Sequence, residues 1–221
     1  MLPRRFQRLR QVLERRQPDL TVVMEGLHKP HNISAILRTC DAVGVYDAHA
    51  VYAGGRMPMY NGTAKGSQKW VGMTVHPHVT AAIEGLRAQG FAIYGTHLSQ
   101  EAIDFTDVDY TRPTAIIMGT ERTGLSDQAA ELVDGHILIP MVGMVQSLNV
   151  SVAAATILFE AQRQRLLAGL YDHCRLSPEV YHRTLFEWVY PELAERYRLA
   201  KRPYPVLDDQ GNLPAGEPVI E

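Results

Sequence analysis

The sequence predicts an α/β fold, a parallel sheet covered by helices on both faces. Short β-branched runs such as LTVVME, TAIIMG and HILIP alternate with segments of helical periodicity, the signature of strands buried on both sides. Hydrophobic residues make up 46% and charged residues 21% of 221 residues, enough apolar side chain to fill a core. The length fits one large domain with attached elements.

The elements follow in order. The opening arm reads as a helix: Phe6, Leu9 and Leu13 recur at helical spacing while Arg4, Arg8 and Arg15 fall on another face. LTVVME from Leu20 is a strand, NISAILRTCDAVG a helix and AHAVYA a second strand, followed by a Gly- and Met-rich loop around Gly54 to Gly66. GMTVH, the helical VTAAIEGLRAQG and the strand FAIYGT ending at Thr96 come next. The strand TAIIMG then runs into the loop TERTG, the short helical SDQAAELV and the strand HILIP. After Pro140 a loop, MVGMVQSLN, leads into the helical SVAAATILFEAQRQR, with Ser147 or Asn149 as its cap. Residues 177 to 201 read as helical with a break at Pro191, and the last stretch is an acidic tail. The domain expectation is a basic helix over 1–17, an α/β core over 18–168, and a helical extension with its acidic tail over 169–221.

Composition narrows the function. The longest apolar stretch, near Val152 to Phe159, falls far short of the ~18 residues of a membrane span, and the N-terminus lacks the apolar block of a secretory signal, so a cytoplasmic protein is expected. Cys40 and Cys174 have no metal-type spacing, and no metal is expected. The net charge of −2 conceals an asymmetry: residues 1 to 16 carry +5 and residues 206 to 221 carry −4. A basic arm on a mildly acidic body suits a polyanion. Neither GxGxxG after the first strand nor GxxxxGK[ST] anywhere is present, which argues against a ligand held by its phosphates. The glycines that follow strands are Gly95, Gly119 and Gly143, so the ligand site is expected in the C-terminal half.

Three segments stand out: KPHNISAILRTCDAVG with Asn32 and Arg38, IIMGTERTGLS with Gly119 and Glu121, and ILIPMVGMVQSLNVSVAAA with Ser147, Leu148 and Asn149. In this order they resemble the three motifs of the SpoU (TrmH) branch of the SPOUT methyltransferases, and in particular its TrmH-type tRNA members. The resemblance covers residues 1 to about 205. It implies a deep trefoil knot at the C-terminal edge of the sheet, S-adenosylmethionine as cofactor, a homodimer whose active site takes residues from both subunits, and 2′-O-methylation of guanosine 18 in the D-loop of tRNA. The alternatives are a related enzyme acting on ribosomal RNA and a non-catalytic RNA-binding protein. The short arm argues against the first, and the joint presence of Asn32, Arg38 and the SLN loop against the second.

By the same resemblance Thr96, Gly95, Gly119, Ile139, Met144 and Leu148 would line the cofactor site, which needs close main-chain approach and apolar walls. Asn32 is by itself an ordinary helix cap, and in the SpoU pattern it also organises the active site. Arg38 is placed by the family beside the target ribose. A guanidinium has no acceptor while protonated, so Arg38 either loses its proton transiently or stays charged and stabilises the developing alkoxide, with His31 or Glu121 as proton acceptor. Glu121, Ser147 and Asn149 take organising roles by similarity. Arg8, Arg15 and Arg16 in the arm, with Arg163 and Arg165 at the end of the long helix, are the candidates for gripping RNA phosphates.

Overall fold

The structure, a computed structural model, describes residues 3–53, 69–120 and 123–214. The Gly- and Met-rich loop, Glu121 and the acidic end of the tail lie outside the described residues. Residues Gln17–Leu170 form one compact unit; the segment up to Arg16 and the segment from Tyr171 onward form a second. The basic arm therefore belongs with the C-terminal extension.

Among the described residues the larger unit holds seven strands: β1 (Leu20–Glu25), β2 (Asp47–Val51), β3 (Gly72–His76), β4 (Ala92–Thr96), β5 (Ile103–Asp104), β6 (Thr114–Met118) and β7 (Gly135–Leu138). Every pairing is parallel, in the order β3-β2-β1-β6-β4-β7-β5. The central β1 and β6 are buried at every residue, which is why their sequences are continuously apolar instead of alternating. One face, carrying Leu20, Val22, Met24, Ala50 and Ile116, is covered by α2 (Pro30–Val43) and α5 (Val150–Leu167). The other, carrying Val23, Ala115 and Ile117, is covered by α3 (Val79–Ala88) and α4 (Asp127–Leu132).

The smaller unit packs α1 (Pro3–Glu14) with α6 (Pro178–Val189), followed by α7 (Pro191–Leu199). Phe6, Leu9 and Leu13 are the buried stripe of α1, as their spacing predicts. Phe186 stacks on Tyr204 with ring centres 4.7 Å apart, and Pro191 restarts the helix where the sequence places the break.

Two elements differ from the expectation. Helix α2 begins at Pro30, whose fixed φ and missing N–H suit a first helical position, so Lys29 is the cap and Asn32 lies inside the first turn. The two-residue β5 is too short to leave a periodic signal.

A polar row runs along β2 and β3, with His49 buried and Thr74 exposed. The His49 Nδ1 and His76 Nε2 atoms are 2.9 Å apart, and Thr74 donates to the Asp47 carboxylate at 2.8 Å. Burial, then the neighbouring His76, pushes His49 down to about 4 from an ordinary 6.5. A histidine kept neutral in the fold but free to protonate when unfolded stabilises fully above pH 6.5, and that contribution is lost as pH falls towards 4. The loss is about 2 to 3 kcal/mol over the whole window. Asp47, pushed up by burial, works in the opposite sense. Urea unfolding from pH 7 to pH 4.5 is therefore expected to show a decline that His49→Gln flattens; an unchanged slope in that variant would remove His49 as its source.

Candidate active site

The carboxyl ends of β4, β6 and β7 open on one cavity of about 370 Å³. Ligands of open parallel sheets bind at this end of the strands, where successive loops diverge. Thr96, His97 and Leu98 enter it from β4; Met118, Gly119, Thr120, Thr123 and Gly124 from β6; Ile137, Leu138, Ile139 and Met141 from β7. Gln146, Ser147 and Leu148 close it from the last loop, with Val150, Ala153 and Ile157 of α5 behind them.

Local geometry explains the shape. Thr120 and Gly124 exchange backbone hydrogen bonds of 2.8 and 3.0 Å, folding the chain after β6 back on itself. That approach leaves no room beside Gly119: a Cβ there would lie 2.2 Å from the Gly124 carbonyl, so only glycine fits. The Thr120 and Thr123 hydroxyls are 2.7 Å apart at the cavity wall. Thr96 donates its hydroxyl to the Ile117 carbonyl at 3.1 Å, which leaves its oxygen lone pairs available to a ligand.

The structure brings together Thr96, Gly119, Ile139, Leu148 and Ser147 of the expected set. Asn149 caps α5 by accepting from the Ser151 N–H at 2.9 Å, and it donates to the Asn32 side-chain oxygen at 3.3 Å. Asn32 is 3% exposed. The two amides thus tie the N-terminal turns of α2 and α5 together, although 117 residues separate them.

The other expected residues among those described lie outside this cavity. Gly95 does not line the cavity; a Cβ on it would meet the Leu125 side chain at 2.5 Å, so it serves packing on the α4 side of the sheet. Met144 is fully exposed. Arg38 is exposed on α2, makes no hydrogen bond or ion pair with a described residue, and is not among the cavity residues. Of the proposed RNA contacts, Arg8 and Arg15 are exposed. Arg163 is exposed but engaged in a two-pronged pair with Glu160 at 2.8 and 2.7 Å. Arg16 is buried, its guanidinium 5.4 Å from the centre of the Trp188 ring. Arg165 is wholly buried and donates to Tyr110 O, Gln17 Oε1, Asp19 Oδ1, Asp19 O and Arg112 O at 2.6 to 3.0 Å. Neither Arg16 nor Arg165 can reach a phosphate from these positions, and both are struts.

Sequence reasoning missed His97, Thr120, Thr123 and Gln146. His97 sits at the cavity wall with its ring 4.9 Å from that of His136. His136 Nε2 lies 3.0 Å from the Ala130 carbonyl and so carries the proton, leaving Nδ1 to accept from Ser99 at 2.8 Å. The polar THLS run directly after a strand end is the signal that could have found His97.

An S-adenosyl sulfonium fits this donor set. Ile139 and Leu148 offer apolar walls for a planar base, the threonine and serine hydroxyls face a ribose or an amino acid, and among the described residues no Lys or Arg lines the cavity. Residues 19–159 match the SpoU rRNA Methylase family and residues 163–216 the family of SpoU rRNA methylase C-terminal segments, and the chain belongs to the SpoU methylase family. It is 60% identical over 185 residues to a Thermus thermophilus protein named tRNA (guanosine(18)-2′-O)-methyltransferase, covering 84% of this chain and 95% of that one. The crystal structure of the Aquifex aeolicus TrmH/SpoU tRNA modifying enzyme superposes with a TM-score of 0.80 at 44% identity, over 86% of this chain and 97% of the other. An AdoMet-bound rRNA methyltransferase from Sinorhizobium meliloti superposes with a TM-score of 0.60 at 28% identity, over 70% and 59% of the two chains. Among the described residues no helix is long and apolar enough to cross a membrane.

Proposed function

We propose that this protein transfers the methyl group of S-adenosylmethionine to the ribose 2′-hydroxyl of guanosine 18 in tRNA, in the cytoplasm. The observation that carries this reading is the cavity built by the three late loops, in a chain so similar to proteins bearing that name. The donor, when bound, supplies an electrophilic methyl. Ile139 and Leu148 hold its adenine, and Thr96, Thr120 and Ser147 orient its polar parts. The Asn32–Asn149 pair fixes the start of α2 against that of α5, which keeps the acceptor-side helix in register with the donor site. Arg38 stays charged and stabilises the developing 2′-alkoxide, an electrostatic role that needs no acceptor atom on the guanidinium. His31, exposed in the first turn of α2, or Glu121 takes the proton. The knot of the SPOUT fold belongs to the same reading, at the edge where β4, β6, β7 and the loop into α5 meet.

Arg38 reaches the acceptor ribose through a second copy. Val152, Phe159 and Leu166 recur every seventh residue along α5 and are each about half exposed, an apolar stripe that a homodimer would cover. The test of the activity is incubation with labelled donor and an unmodified tRNA transcript, followed by mapping of the modified ribose: label at guanosine 18 supports the reading, and label elsewhere or none contradicts it.

The tRNA is gripped by the arm. Because α1 buries Phe6, Leu9 and Leu13, deleting it would expose an apolar face, and substitution is the cleaner test. Arg8→Gln with Arg15→Gln is expected to weaken tRNA binding and to lower the slope of log affinity against log salt by about 1 per lost phosphate contact, leaving donor affinity unchanged. An unaltered slope would take the arm out of the RNA interface.

A further inference from the structure

Glu25 is the last residue of β1 and is 9% exposed, and the reaction as proposed gives it no part. A carboxylate withdrawn from water is costly unless its oxygens are satisfied. Here both are satisfied by one residue 101 positions away: Ser126 donates its N–H to Oε2 at 3.0 Å and its hydroxyl to Oε1 at 2.6 Å. Ser126 is also the cap of α4, its hydroxyl oxygen accepting from the Ala129 N–H at 3.1 Å. It therefore stands at the far end of the β6–α4 connection, whose near end is pinned by the Thr120–Gly124 backbone pair. Thr120, Thr123 and Gly124 of that connection wall the cavity. Gly26, next to Glu25, has φ +64°, and a Cβ there would lie 3.1 Å from the Thr120 methyl, so the exit of β1 packs directly on the same connection.

We propose that Glu25 is a positioning residue for the donor site: its carboxylate clamps the β6–α4 connection to the end of the sheet's central strand and so sets the cavity wall formed by Thr120, Thr123 and Gly124. Glu25 is not among the cavity residues and acts through Ser126 alone. The proposal rests on the reading that this cavity takes S-adenosylmethionine.

The test titrates S-adenosylhomocysteine calorimetrically into the full-length wild type, Glu25→Gln, Glu25→Ala, Ser126→Ala and Ser126→Thr, with steady-state methylation alongside. Glu25→Gln preserves shape and can keep both contacts, its oxygen accepting from the Ser126 N–H and its amide donating to the Ser126 hydroxyl, so it is expected to bind close to the wild type. Glu25→Ala removes both and is expected to raise Kd for the probe and KM for the donor about tenfold, with kcat at saturating donor and tRNA affinity within about twofold. Ser126→Thr, which keeps the hydroxyl, is expected to bind like the wild type, and Glu25→Ala combined with Ser126→Ala to bind no worse than Glu25→Ala alone. A purely structural Glu25 would lower the melting temperature of these variants and leave probe affinity untouched, and folded Glu25→Ala protein with wild-type Kd overturns the proposal. A wild type that binds no S-adenosylhomocysteine removes the donor-site reading itself, whereas equal binding by wild type and Glu25→Ala removes only the role of Glu25.

Discussion

Arg38→Ala is expected to lower single-turnover methyl transfer about 10²–10³-fold while leaving donor affinity and melting temperature within error, because removing one donor aimed at a developing oxyanion costs ~10²–10³. The separation of effects follows from placement. Arg38 is exposed, touches no described hydrogen-bonding partner and lies outside the cavity, so its loss leaves neither a void nor an unpaired buried group. Arg38→Lys keeps the charge but loses the planar array of donors, and should recover part of the rate. If the arginine instead acts by giving up its proton, the lysine variant would show a pH–rate profile displaced to lower pH, since an amine deprotonates more readily. A fully active Arg38→Ala variant would contradict both versions.

Arg165→Ala is expected to have the opposite signature, a large loss of stability with little change in donor affinity of the protein that remains folded. Its guanidinium makes five hydrogen bonds in a site without solvent, joining Gln17 and Asp19 before β1 to Tyr110 and Arg112 before β6. Removing Arg165 takes away the 2.6 Å contact to the Asp19 carboxylate and the donors to three backbone carbonyls, and breaking such a buried pair costs ~3–5 kcal/mol. Arg165→Lys should not rescue it, because a lysine cannot satisfy three carbonyls and a carboxylate from one plane. Replacing Asp19 by Asn in the Arg165→Ala background should recover part of the loss, since a neutral amide is less costly than a carboxylate where the Arg165 guanidinium has been removed. Chemical denaturation measures all three, and an Arg165→Ala variant as stable as wild type would show the network to be dispensable.

These two arginines mark how far sequence reading goes. Strands and helices are legible because β1, β6 and the stripe of α1 are dictated by burial, which leaves a periodic or continuous apolar pattern. The direction of a charged side chain leaves no such pattern. Arg163 and Arg165 sit in one QRQR run, yet positions two apart on a helix diverge by ~200°, so one faces solvent and the other the interior. Ile139 and Leu148 meet in one cavity because both flank the loop that closes it, whereas Met144, inside the same loop, points to solvent. Gly95 illustrates a similar point: a glycine at a strand end signals close approach, and the group that approaches it is the Leu125 side chain. The long-range pairs, Asn32 with Asn149 and Glu25 with Ser126, depend on how the chain folds back and have no local signature. The start of α2 was decided by Pro30, a backbone constraint stronger than the capping preference of Asn32.

The proposed reaction requires donor and guanidinium to meet at one acceptor sugar. A crystal structure of the protein with S-adenosylhomocysteine tests this directly. The expected result is the cofactor in the cavity between Gly119, Ile139 and Leu148, with Arg38 of one copy facing the opening beside its sulfur. Cofactor bound elsewhere, or Arg38 turned away from every occupied cavity in the assembly, would contradict it.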